Sequence, residues 1–498
     1  MDIFLTALDQ VFSFGPIAAI IIGTFFGIII GAIPGLGSVV GISICLPFTF
    51  GMDAITSISL LLGVYCGSVY GGSISAVMIN SPGTPQSAAT VLEGYPMAQA
   101  GQAGKALGWA TMSSVIGGLI SCLVLIIAAP QLARVATQFG SVEIFSLIVL
   151  ALTCIATVSA GAMTKGLLMG VIGLFLSQVG TDPISGIPRF TFGSQFLSSG
   201  LDLISVVVGL FALSEAFARI GFPEQEETTI EKTRLVLPKL SEWKGRIGHL
   251  LRSSGIGCLI GALPGTGAST AAFISYAVAK RSSKNSDNFG KGEPDGLIAA
   301  ESSNNAVTGS AMIPTLALGI PGDVITAILM SALIIQGITP GVRLMAENAV
   351  TVDGIFISLI LINLAMLVLA FPLVRLFGKL LLAPQSLIVT GIFGFVVLGT
   401  MTVRGNPLDA VVAVICGIAG LILRRGGYPL APLVIGLVLG PELEQNLNRG
   451  LMIYDNNFFA MIASSWIAIA IFAAVVVLVL WPIVAPLVRP RAEKVAAR

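Results

Sequence analysis

Four short segments of this sequence combine proline, glycine and small polar residues in a way that could bind an anion inside an apolar protein. They are Pro34-Gly35-Leu36-Gly37-Ser38, Asn80-Ser81-Pro82-Gly83-Thr84-Pro85, Pro264-Gly265-Thr266-Gly267-Ala268-Ser269-Thr270 and Gly319-Ile320-Pro321-Gly322-Asp323. Proline lacks an amide hydrogen and glycine weakens helices, so none of the four continues as regular helix. Each predicts a break followed by a new helix start. Such a start presents unpaired N–H donors and partial positive charge, which suit an anion. The competing reading of any single break is a kink or an edge loop.

Two further groups carry chemistry. Glu301-Ser302-Ser303-Asn304-Asn305 places two amides beside each other, useful for holding a carboxylate or sodium without charge. Adjacent helical residues point apart, so at most one amide is expected to meet a substrate directly. A capping or interfacial cluster is the alternative. Asp323 is a costly charge for an apolar environment and could bind a coupling cation or carry a proton; it could equally cap the helix after Gly322. Enzyme chemistry fails on inventory. The single histidine, His249, lies in a charged stretch, and there is no HExxH zinc motif, Ser–His dyad or GxxxxGK[ST] phosphate loop. Gly319–Asp323 superficially resembles an intramembrane aspartyl protease motif, but Pro321 breaks the pattern and no second catalytic Asp accompanies it.

The elements that position these groups must lie in a membrane. Of 498 residues only 10% are charged and 55% are apolar, with a net charge of +1. A soluble fold could not cover its surface with so few charges, and a nucleic-acid binder would need a basic face. Charge-free runs include 10–52, 54–92, 106–133, 302–322 and 456–488. With ~20 residues per crossing they predict about 12 transmembrane helices plus broken or re-entrant segments. Runs such as Ile17–Ile33 do not alternate as barrel strands would, so the expected class is an all-α polytopic membrane protein. Residues 1–10 carry Asp2 and Asp9 but no Lys or Arg, so the first apolar stretch is expected to be a retained span. The six cysteines sit in or beside apolar runs without CxxC spacing and are expected to be packing residues.

The chain also repeats itself. GIIIGAIPGLG at 27–37 and GCLIGALPGTG at 257–267 are identical at seven of eleven positions, including every Gly and the Pro. Gly72-Ser73 then Pro82-Gly83 recur in order as Gly309-Ser310 then Pro321-Gly322. The organisation expected is a first membrane repeat at 1–221, a charged linker at 222–252, a second repeat at 253–488 and a basic tail at 489–498. Lys and Arg in the linker, in 280–296 and in the tail put those segments in the cytoplasm, whereas none precedes Lys105. The two repeats would then be inverted, as in many secondary transporters. Glycines 23, 27, 31 and 35, like 257, 261 and 265, are spaced four apart and predict stripes for close helix packing.

At these residues the sequence resembles the large permease subunit of the tripartite tricarboxylate transporter family. The matching stretches are GAIPGLG (31–37), YGGSISAVMINSPGTPQSAATVLEGYPMAQAGQAGKALG (70–108), GALPGTGAS (261–269) and ESSNNAVTGSAMIPTLALGIPGD through QGITPG (301–341). The resemblance implies a multi-pass protein of the bacterial inner membrane with two partners, a small four-helix membrane subunit and a periplasmic solute-binding protein. It implies import of carboxylates such as citrate driven by an ion gradient. Position 323 varies in such permeases, so Asp323 would mark a substrate or coupling-ion difference.

The substrate-binding residues expected are Pro34, Gly35, Gly37, Ser38, Asn80, Ser81, Pro82, Gly83, Thr84, Pro264, Gly265, Gly267, Ser269, Thr270, Asn304, Asn305, Pro321 and Gly322, with Asp323 for the coupling ion or proton. One tension stands: a tricarboxylate carries up to three charges, yet these segments contain no Lys or Arg. Helix starts and hydroxyls would hold it, with co-bound sodium or protons offsetting the rest. The motion expected is elevator-like, the four breaks moving against a fixed scaffold. A passive anion channel, or a permease of the same fold for a non-carboxylate solute, is the alternative.

Overall fold

The computed structural model describes residues 2–158, 163–182, 185–220, 233–381 and 384–488. The acidic start of the linker, from Glu224 to Lys232, and the basic tail from Arg489 lie outside them. The structure is 81% helical, and its strands among the described residues are one short antiparallel pair, Gly180–Thr181 with Pro188–Arg189. Seven helices are long and apolar enough to cross a membrane, and five shorter apolar helices accompany them among the described residues. The protein is a multi-pass, all-α membrane protein.

The chain forms two compact units, one from Met1–Thr137 and Leu201–Gly427, the other from Gln138–Gly200 and Tyr428–Arg498. The larger holds every predicted break. Its elements include α1 (Phe14–Ala32), α2 (Gly37–Cys45), α3 (Ala54–Ile79), α4 (Ala103–Ala136) and α5 (Ser214–Ile220). They continue with α6 (Ile247–Gly261), α7 (Gly267–Ser282), α8 (Pro294–Ser310), α9 (Met312–Leu318), α10 (Val324–Ile335) and α11 (Ala349–Leu381).

Glycine explains how these helices pair. A Cβ on Gly23, Gly27 or Gly31 would meet backbone oxygens of Leu60, Val64 and Ser68 at 2.3, 2.6 and 2.1 Å. The contacts advance together along both chains, so α1 and α3 run parallel with their backbones almost touching. Two parallel helices need a return between them; α2 and the 3-10 turn Leu46–Gly51 supply it. Asp53 starts α3 by accepting a hydrogen bond from the Thr56 amide (3.0 Å), and Asn80 ends it in the left-handed region.

The second copy repeats the plan. Gly257 lies against Ser303 and Gly261 against Val307 and Ser310, so α6 and α8 are again parallel, with α7 as the return. The predicted stripes therefore exist, but each stops where its helix does. Gly35 and Gly265 fall beyond α1 and α6 and belong to the breaks. Elsewhere in this unit Trp109 and Trp243 meet edge-on at 4.8 Å in an apolar cluster that includes Tyr70, Leu297 and Phe377.

The smaller unit packs Met163–Leu176 against Leu430–Ile453 by the same device, Gly436 facing the Gly170 carbonyl. Arg189 closes its loop by bonding Asp182 (2.8 Å) and Glu444 (2.5 Å).

Candidate functional site

The two copies build their first breaks with the same backbone. Gly35 and Gly37 have φ of 86° and 68°; Gly265 and Gly267 have 88° and 69°. These are left-handed conformations that side chains resist, which is why glycine recurs at both places. The second breaks match as well: Asn80 (φ 57°) and Gly319 (φ 68°) each end a helix, followed by Pro82-Gly83 and Pro321-Gly322.

In the first copy the second break closes on the two helices before it, and in the second copy the two breaks meet. The Gly83 amide donates to the Gly72 carbonyl (3.2 Å), and a Cβ on Gly83 would lie 1.9 Å from the Gly31 oxygen. The Gly265 amide donates to the Gly322 carbonyl (2.7 Å), and the Gly322 amide to the Thr315 hydroxyl (3.3 Å). Sequence pattern thus becomes a paired element in the second copy, where the Gly265 break closes on the Gly322 break.

The helix starts differ in what they leave free. α2 and α7 begin after Leu36 and Thr266 without a side-chain cap, and neither Gly37 nor Gly267 has an atom within 4 Å of where a Cβ would stand. Pro34 and Pro264 are half-buried before these starts; Ser38 is buried with its hydroxyl unpartnered, while Ser269 and Thr270 stay part-exposed. Ser81 and Pro82 are part-buried, and buried Thr84 precedes the 3-10 turn Pro85–Thr90. The fourth start is not free. The Asp323 carboxylate accepts from the Thr326 amide (2.8 Å) and hydroxyl (3.0 Å), and its other oxygen accepts from the Tyr65 hydroxyl (2.9 Å). Asp323 is the cap of α10, the second of the two readings open in the sequence, and its carboxylate already occupies the place an anion would take.

The Glu301–Asn305 group sits in the middle of α8 with every member at most 1% exposed, so it is neither a cap nor an interfacial cluster. The two amides meet each other: Asn305 Nδ2 donates to Asn304 Oδ1 (2.6 Å). Asn304 Nδ2 also donates to the Gln86 carbonyl (3.3 Å), tying the second copy to the turn after the first copy's break. Asn305 Oδ1 and the Ser302 and Ser303 hydroxyls are buried without partners among the described residues. Glu301 is held by three hydroxyls, Ser73 (2.6 Å), Ser114 (2.7 Å) and Thr90.

Sequence reasoning missed Arg219. At the end of α5 its Nη2 donates to the Pro34 carbonyl (2.6 Å) and its Nε to Glu215 (3.1 Å), which also pairs with Arg424 at 2.8 Å. A guanidinium therefore stands at the first break, 2.7 Å from where a Gly35 Cβ would be. The absence of Lys and Arg from the break segments themselves does not leave the site without a cation. Arg219 is far from Pro34 in sequence and borders the charged linker, so nothing in its surroundings marked it. Arg424 and Arg404, at the ends of apolar helices, pair with Glu215 and Asp202.

This duplicated arrangement has a family. Residues 17–435 match the Tripartite tricarboxylate transporter TctA family, and that span contains all four breaks. The chain belongs to this family. It is a transporter family, and its large subunit accounts for nearly the whole chain. An Agrobacterium vitis protein described as an uncharacterized 52.8 kDa protein in the TAR-I ttuC' 3' region is 36% identical over 478 residues, covering 95% of this chain and 94% of the relative. A second A. vitis protein, from the TAR-II ttuC' 3' region and also uncharacterized, is 40% identical over 197 residues, covering 40% of this chain and 81% of its own length. No solved structure matches significantly.

Proposed function

We propose that this family member is the large permease subunit of a bacterial inner-membrane transporter importing tricarboxylates or related organic carboxylates by cation symport. A periplasmic solute-binding protein delivers the substrate, and a small four-helix membrane subunit completes the complex. The observation that carries the reading is the pair of uncapped starts at Gly37 and Gly267, each in open space after a matched left-handed break. Free amides at two helix starts hold carboxylates, and Arg219 adds a positive charge at the first. The residues assigned to substrate are Pro34, Gly35, Gly37, Ser38, Asn80–Thr84, Pro264, Gly265, Gly267, Ser269, Thr270, Asn304, Asn305, Pro321 and Gly322, with Asp323 as a coupling-ion or proton candidate alongside its capping role.

Alternating access by inverted repeats, with an elevator-like motion, is part of the proposal. Three contacts support opposite directions for the copies. α3 runs parallel to α11 (Ile55 at Gly354, Ser59 bonding Ser358), and α4 runs parallel to α8 (Ser114 at Glu301, Ser121 at Gly309). Gly118 and Cys122 of α4 meet α11 at Asn363, near its middle, while the start of α4 shares a cluster with the end of α11.

The test is uptake of labelled citrate into proteoliposomes holding this chain and its small partner, with a panel of competing organic acids. Uptake that requires both the cognate binding protein and an inward sodium or proton gradient is expected. Uptake indifferent to both overturns the symporter in favour of a channel.

A further inference from the structure

The cradle around Glu301 belongs to neither the breaks nor the helix starts, yet it is a fully enclosed carboxylate site in the larger unit. Glu301, Ser73, Thr90 and Ser114 are all 0% exposed. Ser73 and Thr90 donate to Oε1 and Ser114 to Oε2. None of these hydroxyls has another acceptor among the described residues, so each spends its proton on the carboxylate. Three hydroxyls converging on one carboxyl suit its ionised form, which accepts from all of them. No Lys, Arg or His forms an ion pair with it among the described residues.

A buried charge in apolar surroundings needs compensation. We infer that Glu301, Ser73, Thr90 and Ser114 form a binding site for a monovalent alkali cation, with sodium as the ion that fits. The ligand chemistry selects the class. Four hard oxygen side chains with a single negative charge neutralise one monovalent ion. A divalent ion would be left with uncompensated charge, and no cluster of three His, Cys, Asp or Glu residues exists among the described residues to hold a transition metal. On binding, the three hydroxyls turn their lone pairs to the ion and keep their places.

The site also has a mechanical position. Ser73 lies on α3 before the Asn80–Thr84 break, Thr90 closes the turn after it, and Glu301 comes from the second copy. One turn along α8, Asn304 holds the same Pro85–Thr90 turn through the Gln86 carbonyl. An ion bridging Ser73 and Thr90 fixes how the chain folds back at the break, while Glu301 and Ser114 tie that fold to α8 and α4. Cation occupancy would thereby set the shape of the neighbouring substrate segment. The role in coupling rests on the symport reading above; the binding does not.

The experiment measures binding without transport. Purified chain in detergent is melted across a sodium chloride series, with choline chloride holding ionic strength constant, at pH 6 and pH 8. The expected result is saturable, sodium-specific stabilisation of the native protein that is lost in Glu301→Gln, which keeps the volume but replaces one acceptor oxygen with a donor. Ser114→Ala removes one ligand and raises the half-saturating sodium concentration at least ten-fold. An equal sodium shift in Glu301→Gln overturns the proposal, as does a stability that follows pH and ignores sodium. Should Glu301→Gln not fold, Ser114→Ala and Thr90→Val decide, and unchanged half-saturation in both overturns the site. Failure of citrate uptake with an intact sodium shift would remove the symporter reading and leave the ion site standing.

Discussion

Replacing Gly31 with alanine tests whether the glycine stripes are structural and whether the two copies use them with equal strictness. At Gly31 the added methyl would lie 2.1 Å from Ser68 O and 2.7 Å from its carbonyl carbon and Cα, where ordinary contact begins at 3.4 Å. All three atoms are backbone, so α1 and α3 must separate by about 1 Å along a closely packed seam. Overpacking of this kind costs about 3 kcal/mol, and a helix favours alanine over glycine by about 1 kcal/mol. The net expected loss is about 2 kcal/mol. At Gly261 the nearest atom, also at 2.1 Å, is the Ser310 hydroxyl, while the nearest backbone atom, Val307 Cα, is at 3.1 Å. Rotating Ser310 away forfeits its bond to the Ala306 carbonyl (2.8 Å), worth about 1 kcal/mol, which the helix preference offsets. Gly261→Ala should be near neutral, and Gly261→Ala with Ser310→Ala no worse than wild type. Apparent melting temperatures of the purified proteins in one detergent provide the assay. A Gly31→Ala protein that melts with wild type, or a Gly261→Ala protein that melts below it, would refute the packing argument.

Four other substitutions follow from the geometry. Arg219→Lys keeps the charge but cannot reach both Pro34 O and Glu215 with one rigid fork, so KM for carboxylate uptake should rise about ten-fold, consistent with about 1.5 kcal/mol for a charged hydrogen bond; an unchanged KM removes Arg219 from the site. Glu93, 0% exposed, accepts from the Tyr276 hydroxyl (2.8 Å) and from the amides of Gly290 (2.6 Å), Gly292 (2.9 Å) and Glu293 (2.8 Å). Glu93→Gln turns an amide donor toward donors and should cost about 1–3 kcal/mol, read as a lower melting temperature, with Tyr276→Phe milder. The Lys105 ammonium, at 2.5 Å, together with the Lys239 amide, holds the Glu242 carboxyl below its ordinary range. A depressed carboxyl stabilises the fold above its unfolded pKa and loses that contribution as pH falls through the folded one. Glu242→Gln should therefore melt slightly below wild type at pH 7 and level with it once both carboxyls are protonated in acid; a gap that persists in acid would contradict this.

Local chemistry was legible in the sequence; long-range company was not. Pro-Gly pairs and the four-residue glycine spacing require special backbone or close approach wherever they occur, so the breaks and stripes could be located from 27–37 and 257–267 alone. The ambiguity at Asp323 was also visible, because an Asp after a break and before Thr326 is a capping pattern. Arg219 was not legible, since a guanidinium at a linker edge looks like any interfacial charge until Pro34 is brought to it. Glu301 stands at the polar edge of an otherwise charge-free run, and only the fold shows that α8 carries it to full burial. The pairing of Asn304 with Asn305 depends on side-chain reach across one residue, which helix direction alone does not give.

The bonds to Glu93 and Glu301 also bear on how the chain is made. The Glu93 carboxylate leaves the ribosome some 200 residues before the Glu293 amide that helps hold it, and Ser73 precedes Glu301 by 228. Until then the first copy stands in the lipid with an acidic group and several hydroxyls unanswered. The polar groups of the first copy therefore complete their bonding only once the second copy has been made, late in synthesis.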